Sequence, residues 1–219
     1  MTKISVNTQS SIKIKGQKTI YLDPFKIKEN YHDADIIFIT HDHYDHFDIE
    51  SIEKVSSSNT VYVMPKKMNG CLKTLKIDDN RIILVIPNTE YEIQGIKFIT
   101  IPSYNLNKNF HPKENGWTGY VLSLENKKYY IAGDTDNIEE LSKLKKLKID
   151  VYFLPIGGTY TMTKEEAAIL VNQNKPNLVI PTHYGSIVGD MNFGPEFQKL
   201  LDKDISCYLI LNKGEDYEL

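Results

Sequence analysis

Between Thr40 and Phe47 the chain reads T-H-D-H-Y-D-H-F, so His41, His43, Asp45 and His46 place four metal-ligand side chains within six positions. Three of the chain's six histidines lie in this one turn, directly after the apolar run Ile36–Ile39. Imidazole nitrogen and carboxylate oxygen together suit zinc, iron or manganese, and the end of a buried strand is a rigid platform for holding them. A polar loop whose histidines merely face water is the plain alternative, but the density of donors at a strand exit argues against it. His41 and His43 alternate with non-ligands and project to one side of an extended backbone, whereas the adjacent Asp45 and His46 diverge. That divergence suggests two ions, and a pair ~3.5–4 Å apart needs further ligands, among them a carboxylate able to bridge.

Two later stretches supply such residues. Tyr129–Ala132 is a β-rich run that stops at Gly133, with Asp134 next; the small residues before Asp134 let the backbone approach whatever that carboxylate holds. Leu178–Ile180 runs into Pro181 and then Thr182-His183-Tyr184-Gly185, with His183 at the exit. Taken alone, Asp134 could be a turn or helix-capping aspartate and His183 a satisfied loop histidine. Beside the first cluster, both read better as ligands. Asp23, in the Leu22-Asp23-Pro24 turn, is a candidate to orient a ligand histidine, with a plain Asp-Pro turn as the competing reading.

The ordered set of motifs resembles the metallo-β-lactamase-fold hydrolases, and within them the small, single-domain metal-dependent hydrolases of the lactonase type (UPF0173-like). The resemblance rests on Leu22-Asp23-Pro24, the His41–His46 cluster, Ala132-Gly133-Asp134-Thr135, Leu154-Pro155-Ile156-Gly157-Gly158 with Thr161-Met162, and Pro181-Thr182-His183-Tyr184. These follow one another in the family order across nearly the whole chain. The resemblance implies a four-layer αβ/βα sandwich, with His41 and His43 on one metal, Asp45, His46 and His183 on the other, and Asp134 bridging.

It also implies a third histidine on the first metal, at the exit of a middle strand. Here that strand is Ile96–Ile101, and its exit reads Pro102-Ser103-Tyr104-Asn105, without a histidine. Tyr104 or Asn105 stands where the ligand is expected. His111 lies further on, in the polar loop Asn107–Lys113. It is read as substrate-facing or solvent-exposed in preference to a substitute ligand, because ligands are better held on strand ends than on mobile loops. The expected cofactor is therefore a divalent metal, two ions per chain with unequal affinity, the first site being the weaker. Zinc is the first choice, with manganese or iron as alternatives. Tyr104, Asn105, His111, Trp117, Tyr160 and Tyr184 are candidates for the first metal or for an aromatic-walled pocket.

These side chains need a frame. Apolar and β-branched runs occur at Ser11–Ile14, Thr19–Leu22, Ile36–Ile39, Thr60–Val63, Ile82–Ile86 and Ile96–Ile101, then at Tyr120–Leu124, Lys128–Ala132, Val151–Leu154, Leu178–Ile180 and Cys207–Leu211. Helical patterns intervene at Ile49–Val55, Pro65–Thr74, Ile138–Leu147, Lys164–Asn174 and Pro195–Asp202, the fourth opened by a capping-box pair, Thr163 and Glu166. Many short strands and few helices point to an α+β fold of two mixed sheets packed face to face with helices outside. In such a fold, ligands leave strand ends along one rim. Without repeats or linkers, a single domain over residues 1–219 is expected.

Composition narrows the partners. No apolar stretch approaches a membrane span, and the N-terminus lacks a basic segment followed by an apolar core, so neither a membrane nor a signal peptide is expected. Two solitary cysteines, Cys71 and Cys207, fit a reducing cytoplasm. The net charge is −3 and Arg81 is the single arginine, so the guanidinium forks common in nucleic-acid recognition are missing. The basic run Lys143–Lys148 carries leucines at helical spacing and reads as a solvated amphipathic face.

The expected activity is hydrolysis of a small ester, lactone or phosphoester by a metal-activated water, with Asp45 and Asp134 as the catalytic carboxylates. The lactonase-type resemblance favours a cyclic or carboxylic ester. A phosphodiesterase of the same fold is one alternative. The missing histidine leaves a second: a degenerate scaffold that binds metal or ligand without turnover. The partner is a small-molecule substrate rather than nucleic acid or membrane, and a homo-oligomer remains open.

Overall fold

The computed structural model describes residues 1–75, 77–210 and 216–219. The chain forms two compact units, Met1–Ile86 with Ile210–Leu219 and Pro87–Leu209, each built on one seven-stranded mixed sheet.

In the first unit the strands are β1 (Lys3–Val6), β2 (Ile12–Lys15), β3 (Thr19–Leu22), β4 (Ala34–Phe38), β5 (Ser56–Pro65), β6 (Ile82–Val85) and β14 (Asp216–Glu218), in the order β14-β1-β2-β3-β4-β5-β6. Pairing is antiparallel from β14 to β3 and parallel from β3 to β6. The residue pattern explains the division. In β2, Ile12 and Ile14 are buried while Lys13 and Lys15 point outward, the alternation of a half-covered antiparallel strand. In β4, Ile36, Ile37 and Phe38 are all buried, as a parallel strand covered on both faces requires.

Helix α1 (Ile49–Val55) lays Ile52 and Val55 against Ile37, Ile39, Tyr62 and Met64. Each of those two aliphatic side chains contributes about 1.5–3 kcal/mol when fully buried. The parallel register Leu22↔Phe38 sends the chain out of β3 and β4 on the same edge, which sets Asp23 beside the start of the histidine cluster.

The second unit holds β7 (Glu90–Ile93), β8 (Ile96–Pro102), β9 (Thr118–Leu124), β10 (Lys127–Ile131), β11 (Val151–Pro155), β12 (Leu178–Thr182) and β13 (Ser206–Cys207), in the order β13-β12-β11-β10-β9-β8-β7. Here β10 to β13 are parallel and β7 to β10 antiparallel. Strands β8 and β10 both oppose β9, so the chain leaves β8, β10, β11 and β12 on one edge of this sheet. The helix Lys164–Asn174 opens with the expected capping box: Thr163 Oγ1 accepts from Glu166 N at 3.2 Å, and Thr163 N donates to Glu166 Oε2 at 2.8 Å. That motif contributes about 0.5–2 kcal/mol.

Three expectations need correction. Glu139–Leu147 is a 3-10 helix rather than an α-helix. Its apolar residues Ile138, Leu141, Leu144 and Leu147 recur every third position, which aligns them in one row at three residues per turn. The stretch Pro65–Thr74 splits into the end of β5, a 3-10 turn Lys66–Cys71 and a short α-helix Leu72–Leu75, with the weak helix formers Asn69 and Gly70 in the turn. The run expected at Cys207–Leu211 is the two-residue edge strand β13, and Leu211 lies outside the described residues. Cys71 and Cys207 are free thiols, and no helix among the described residues is long and apolar enough to cross a membrane.

Candidate metal centre

In the first unit, the ligand cluster is braced from behind by Asp23. Its backbone adopts a left-handed conformation (φ 45°), its N–H donates to Phe38 O at 3.0 Å, and its carboxylate is fully buried. Oδ1 accepts from Thr40 N at 2.8 Å, while Oδ2 accepts from Thr40 Oγ1 and from His46 Nδ1, both at 2.7 Å. Burial pushes the Asp23 carboxyl above the usual aspartate range, against the downward pull of His46 and of the bonds from His46 and Thr40. Three convergent donors offset part of that cost.

Because the Thr40 hydroxyl proton is committed to Asp23, Thr40 Oγ1 accepts from His41 Nδ1 at 3.0 Å. The hydrogen-bond partners therefore assign His41 and His46 the Nδ1–H tautomer, with a lone pair at Nε2. The two rings lie 4.0 Å apart, centre to centre. His41 Nε2 is 3.1 Å from His43 Nδ1, and His46 Nε2 is 3.7 Å from Asp45 Oδ2. Gln9, fully buried, donates to the same Asp45 oxygen at 3.4 Å.

In the second unit, Asp134 follows Gly133, whose φ of 64° only glycine adopts without strain. Gly119 of β9 lets β10 come close: a Cβ there would lie 2.5 Å from Ile131 O and 2.6 Å from Ala132 O. Ser103 Oγ, at the exit of β8, donates to Asp134 O at 2.9 Å. His183 leaves β12 in the left-handed region (φ 55°), a conformation that costs a non-glycine residue about 1–2 kcal/mol and recurs at functional positions. Its Nε2 lies 3.2 Å from Asp134 Oδ2.

His111 is the principal correction. Rather than being solvent-exposed, it is 1% exposed, and its Nε2 lies 3.4 Å from the same Asp134 oxygen. Asn105, at the strand exit where a histidine is expected, turns its side-chain carbonyl to His111, accepting from the backbone N at 3.1 Å and contacting ring Nδ1 at 3.0 Å. Trp117 is buried edge-on to the His111 ring, 5.6 Å between centres.

The remaining pocket candidates separate from this group. The Tyr104 hydroxyl donates to Glu140 Oε2 at 2.9 Å, and the Tyr160 ring packs edge-on against Phe110. Tyr184 is buried beneath the helix Phe193–Lys199 against Gly194, its hydroxyl pushed up to about 12 by burial. Sequence reasoning missed Thr40, Gln9 and Ser103. Thr40, directly before the first histidine, is the one its position could have betrayed.

The donor set fits a divalent ion. His41, His43, Asp45 and His46 in the first unit, and His111, Asp134 and His183 in the second, each offer a metal-ligand atom of the imidazole or carboxylate type. Two nitrogens bound to one zinc at ~2.0–2.1 Å and a tetrahedral angle stand ~3.3 Å apart. The separations of 3.1 Å (His41–His43), 3.4 Å (His111–Asp134) and 3.2 Å (His183–Asp134) match that spacing. Imidazole nitrogen with carboxylate oxygen is the borderline set that zinc, iron and manganese share.

Comparison with known proteins agrees. The beta-lactamase superfamily domain matches residues 3–183. A UPF0173 metal-dependent hydrolase from Thermococcus onnurineus is 32% identical over 232 residues, covering 100% of both chains. Among solved structures, a candidate metal-dependent hydrolase from Parabacteroides distasonis is 28% identical, with a TM-score of 0.77 over 95% of this chain and 92% of that one. The metallo hydrolase Igni18 from Ignicoccus hospitalis is 21% identical, with a TM-score of 0.79 over 100% of this chain and 99% of that one, a likeness of fold.

Proposed function

The chain belongs to the beta-lactamase superfamily domain family and, within it, to the UPF0173 metal-dependent hydrolases, and from that premise we propose that it hydrolyses a small ester or lactone with two divalent ions. The reading places His41, His43 and His111 on one ion and Asp45, His46 and His183 on the other, with Asp134 shared. The observation that carries it is the convergence of His111 Nε2 and His183 Nε2 on a single buried oxygen, Asp134 Oδ2. Two imidazole nitrogens and a carboxylate oxygen brought this close in a buried position are the donor set that a divalent cation joins.

When bound, the ions supply a water nucleophile at neutral pH and polarise the carbonyl oxygen under attack. The chain's own residues do the rest. Asp45, steadied by Gln9, would accept a hydrogen bond from the attacking water and so orient it. Asp23 and Thr40 hold His46 and His41 in the tautomer that presents Nε2. No serine or cysteine is required: burial pushes the Cys207 thiol up to about 12, and it raises the Cys71 thiol too, so neither is poised as a nucleophile.

The degenerate-scaffold reading rested on the absent third histidine, and a buried His111 beside Asp134 supports the hydrolase reading over it. A panel of small lactones, aryl esters and phosphodiesters, each run with and without a chelator, tests the proposal. Chelator-sensitive turnover of lactone or ester is expected. Turnover of phosphodiesters alone would move the assignment to a phosphodiesterase.

A further inference from the structure

We propose that Asn105 is the positioning residue that makes His111 a metal-binding side chain, and that the Lys108–Asp136 pair sets the direction of its amide. The inference rests on the metal-centre reading above and adds a mechanism by which a residue in a loop acquires the precision of a strand end.

The backbone provides the first part. Asn105 N donates to His111 O at 2.8 Å and His111 N donates to Asn105 Oδ1 at 3.1 Å, so the ends of the loop 106–110 are clasped together. The exit of β8 is in turn zipped to the exit of β10. Tyr104 N donates to Thr135 Oγ1 at 3.3 Å, Asp136 N to Tyr104 O at 3.0 Å, and Leu106 N to Asp136 Oδ2 at 2.9 Å. These bonds tie Asn105 to the strand that carries Asp134.

The side chain provides the second part. An asparagine amide has one donor end and one acceptor end, and its surroundings decide which way it faces. Asn105 Nδ2 points at Asp136 Oδ1 (3.2 Å) and Tyr160 O (2.9 Å), neither of which has a proton to give. Asp136 accepts on both oxygens, from Lys108 Nζ at Oδ1 (2.5 Å) and from Leu106 N at Oδ2, and Lys108 Nζ also donates to Thr161 O at 2.7 Å. The carbonyl end must therefore face His111. Because Oδ1 can only accept, the 3.0 Å contact to the ring requires the proton on Nδ1. That leaves the lone pair of His111 on Nε2, the nitrogen 3.4 Å from Asp134 Oδ2. Asp23 and Thr40 impose the same tautomer on His46 and His41 with an anionic and a hydroxyl acceptor; here the acceptor is an amide whose direction is set by an ion pair.

The tautomer is readable without metal. In metal-free, 15N-histidine-labelled full-length protein, long-range 1H–15N spectra should show His111 protonated at Nδ1. Asn105→Leu, similar in size but unable to accept, should shift it to Nε2–H or a mixture and weaken zinc binding at one of two sites by about 10–100-fold. Asp136→Asn lets the Asn105 amide turn over and should give a mixed tautomer with the fold intact, a second variant if Asn105→Leu fails to fold. Nε2–H in the wild type would overturn the proposal outright. So would an unchanged tautomer and zinc affinity in a folded Asn105→Leu. A wild type with the predicted tautomer that binds no zinc would uphold the role of Asn105 and overturn the metal-centre reading, so the two failures are distinguishable.

Discussion

Asp23→Asn isolates the bracing of the histidine cluster with a change of almost no volume. The wild-type carboxylate accepts three hydrogen bonds, from Thr40 N, Thr40 Oγ1 and His46 Nδ1, at 2.7–2.8 Å. Asparagine keeps one acceptor oxygen, which can remain on Thr40 N. Its amide nitrogen then faces two donors. The threonine hydroxyl can rotate and accept, but His46 can keep a bond only by moving its ring proton to Nε2, the atom wanted for metal. A hydrogen bond to a charged group contributes about 1.5–3 kcal/mol. Loss of a residue that orients a ligand histidine typically weakens metal binding 10–100-fold, or about 1.4–2.7 kcal/mol at 1.36 kcal/mol per decade. The two routes agree.

The metal-free protein should respond differently. Burial makes the Asp23 anion costly in the folded state, and a neutral amide relieves part of that cost. Asp23→Asn should therefore lose 10–100-fold in zinc affinity while the melting temperature of the metal-free form moves little. The assay is competition with a chromophoric chelator, paired with thermal melts of metal-free protein. Zinc affinity within twofold of wild type, or a loss wholly explained by unfolding, would refute the bracing role.

Gly119→Ala should destabilise the second unit by about 1–3 kcal/mol, because its Cβ would press on the Ile131 and Ala132 carbonyls; chemical denaturation checks this, and an unchanged midpoint would deny the close approach. Asp33 supplies a pH dependence: burial would raise its carboxyl, but the bonds from Lys13 and Tyr21 and the charges of Lys13 and Lys15 outweigh it and hold it low. Its stabilisation is thus present above the ordinary aspartate value of about 3.9 and is lost as pH falls below it; being partly exposed, the pair contributes about 1 kcal/mol at most, so melts from pH 6 to 3 should fall more steeply in wild type than in Asp33→Asn.

How much was legible depends on whether an element is made by its own sequence or by its neighbours. The helices Ile49–Val55 and Lys164–Asn174 match the expected ranges because apolar spacing and, in the second, the Thr163–Glu166 cap are local signals. Three strands escaped: Lys3–Val6, Glu90–Ile93 and Asp216–Glu218. All three are short, and the last two are rich in charge and are edge strands held by pairing on one side, so little in their own residues announces them. The 3-10 helix was visible in the three-residue spacing from Ile138 to Leu147, had that period been weighed against 3.6. The positions of Asp134 and His183 were legible because parallel strands end together. His111 was not, because its placement depends on the bonds between Asn105 and its own loop and between Leu106 and Asp136, pairings that no local pattern encodes.

The central claim is that two ions occupy the histidine–aspartate centre, and elemental analysis of protein purified without chelator and reconstituted with zinc tests it most directly. Wild type should hold two zinc ions per chain, and His183→Ala and His111→Ala should each fall towards one, since in the proposed arrangement each would remove a ligand of a different ion. Wild type with no bound metal, or two ions retained in a folded His183→Ala, would contradict the account.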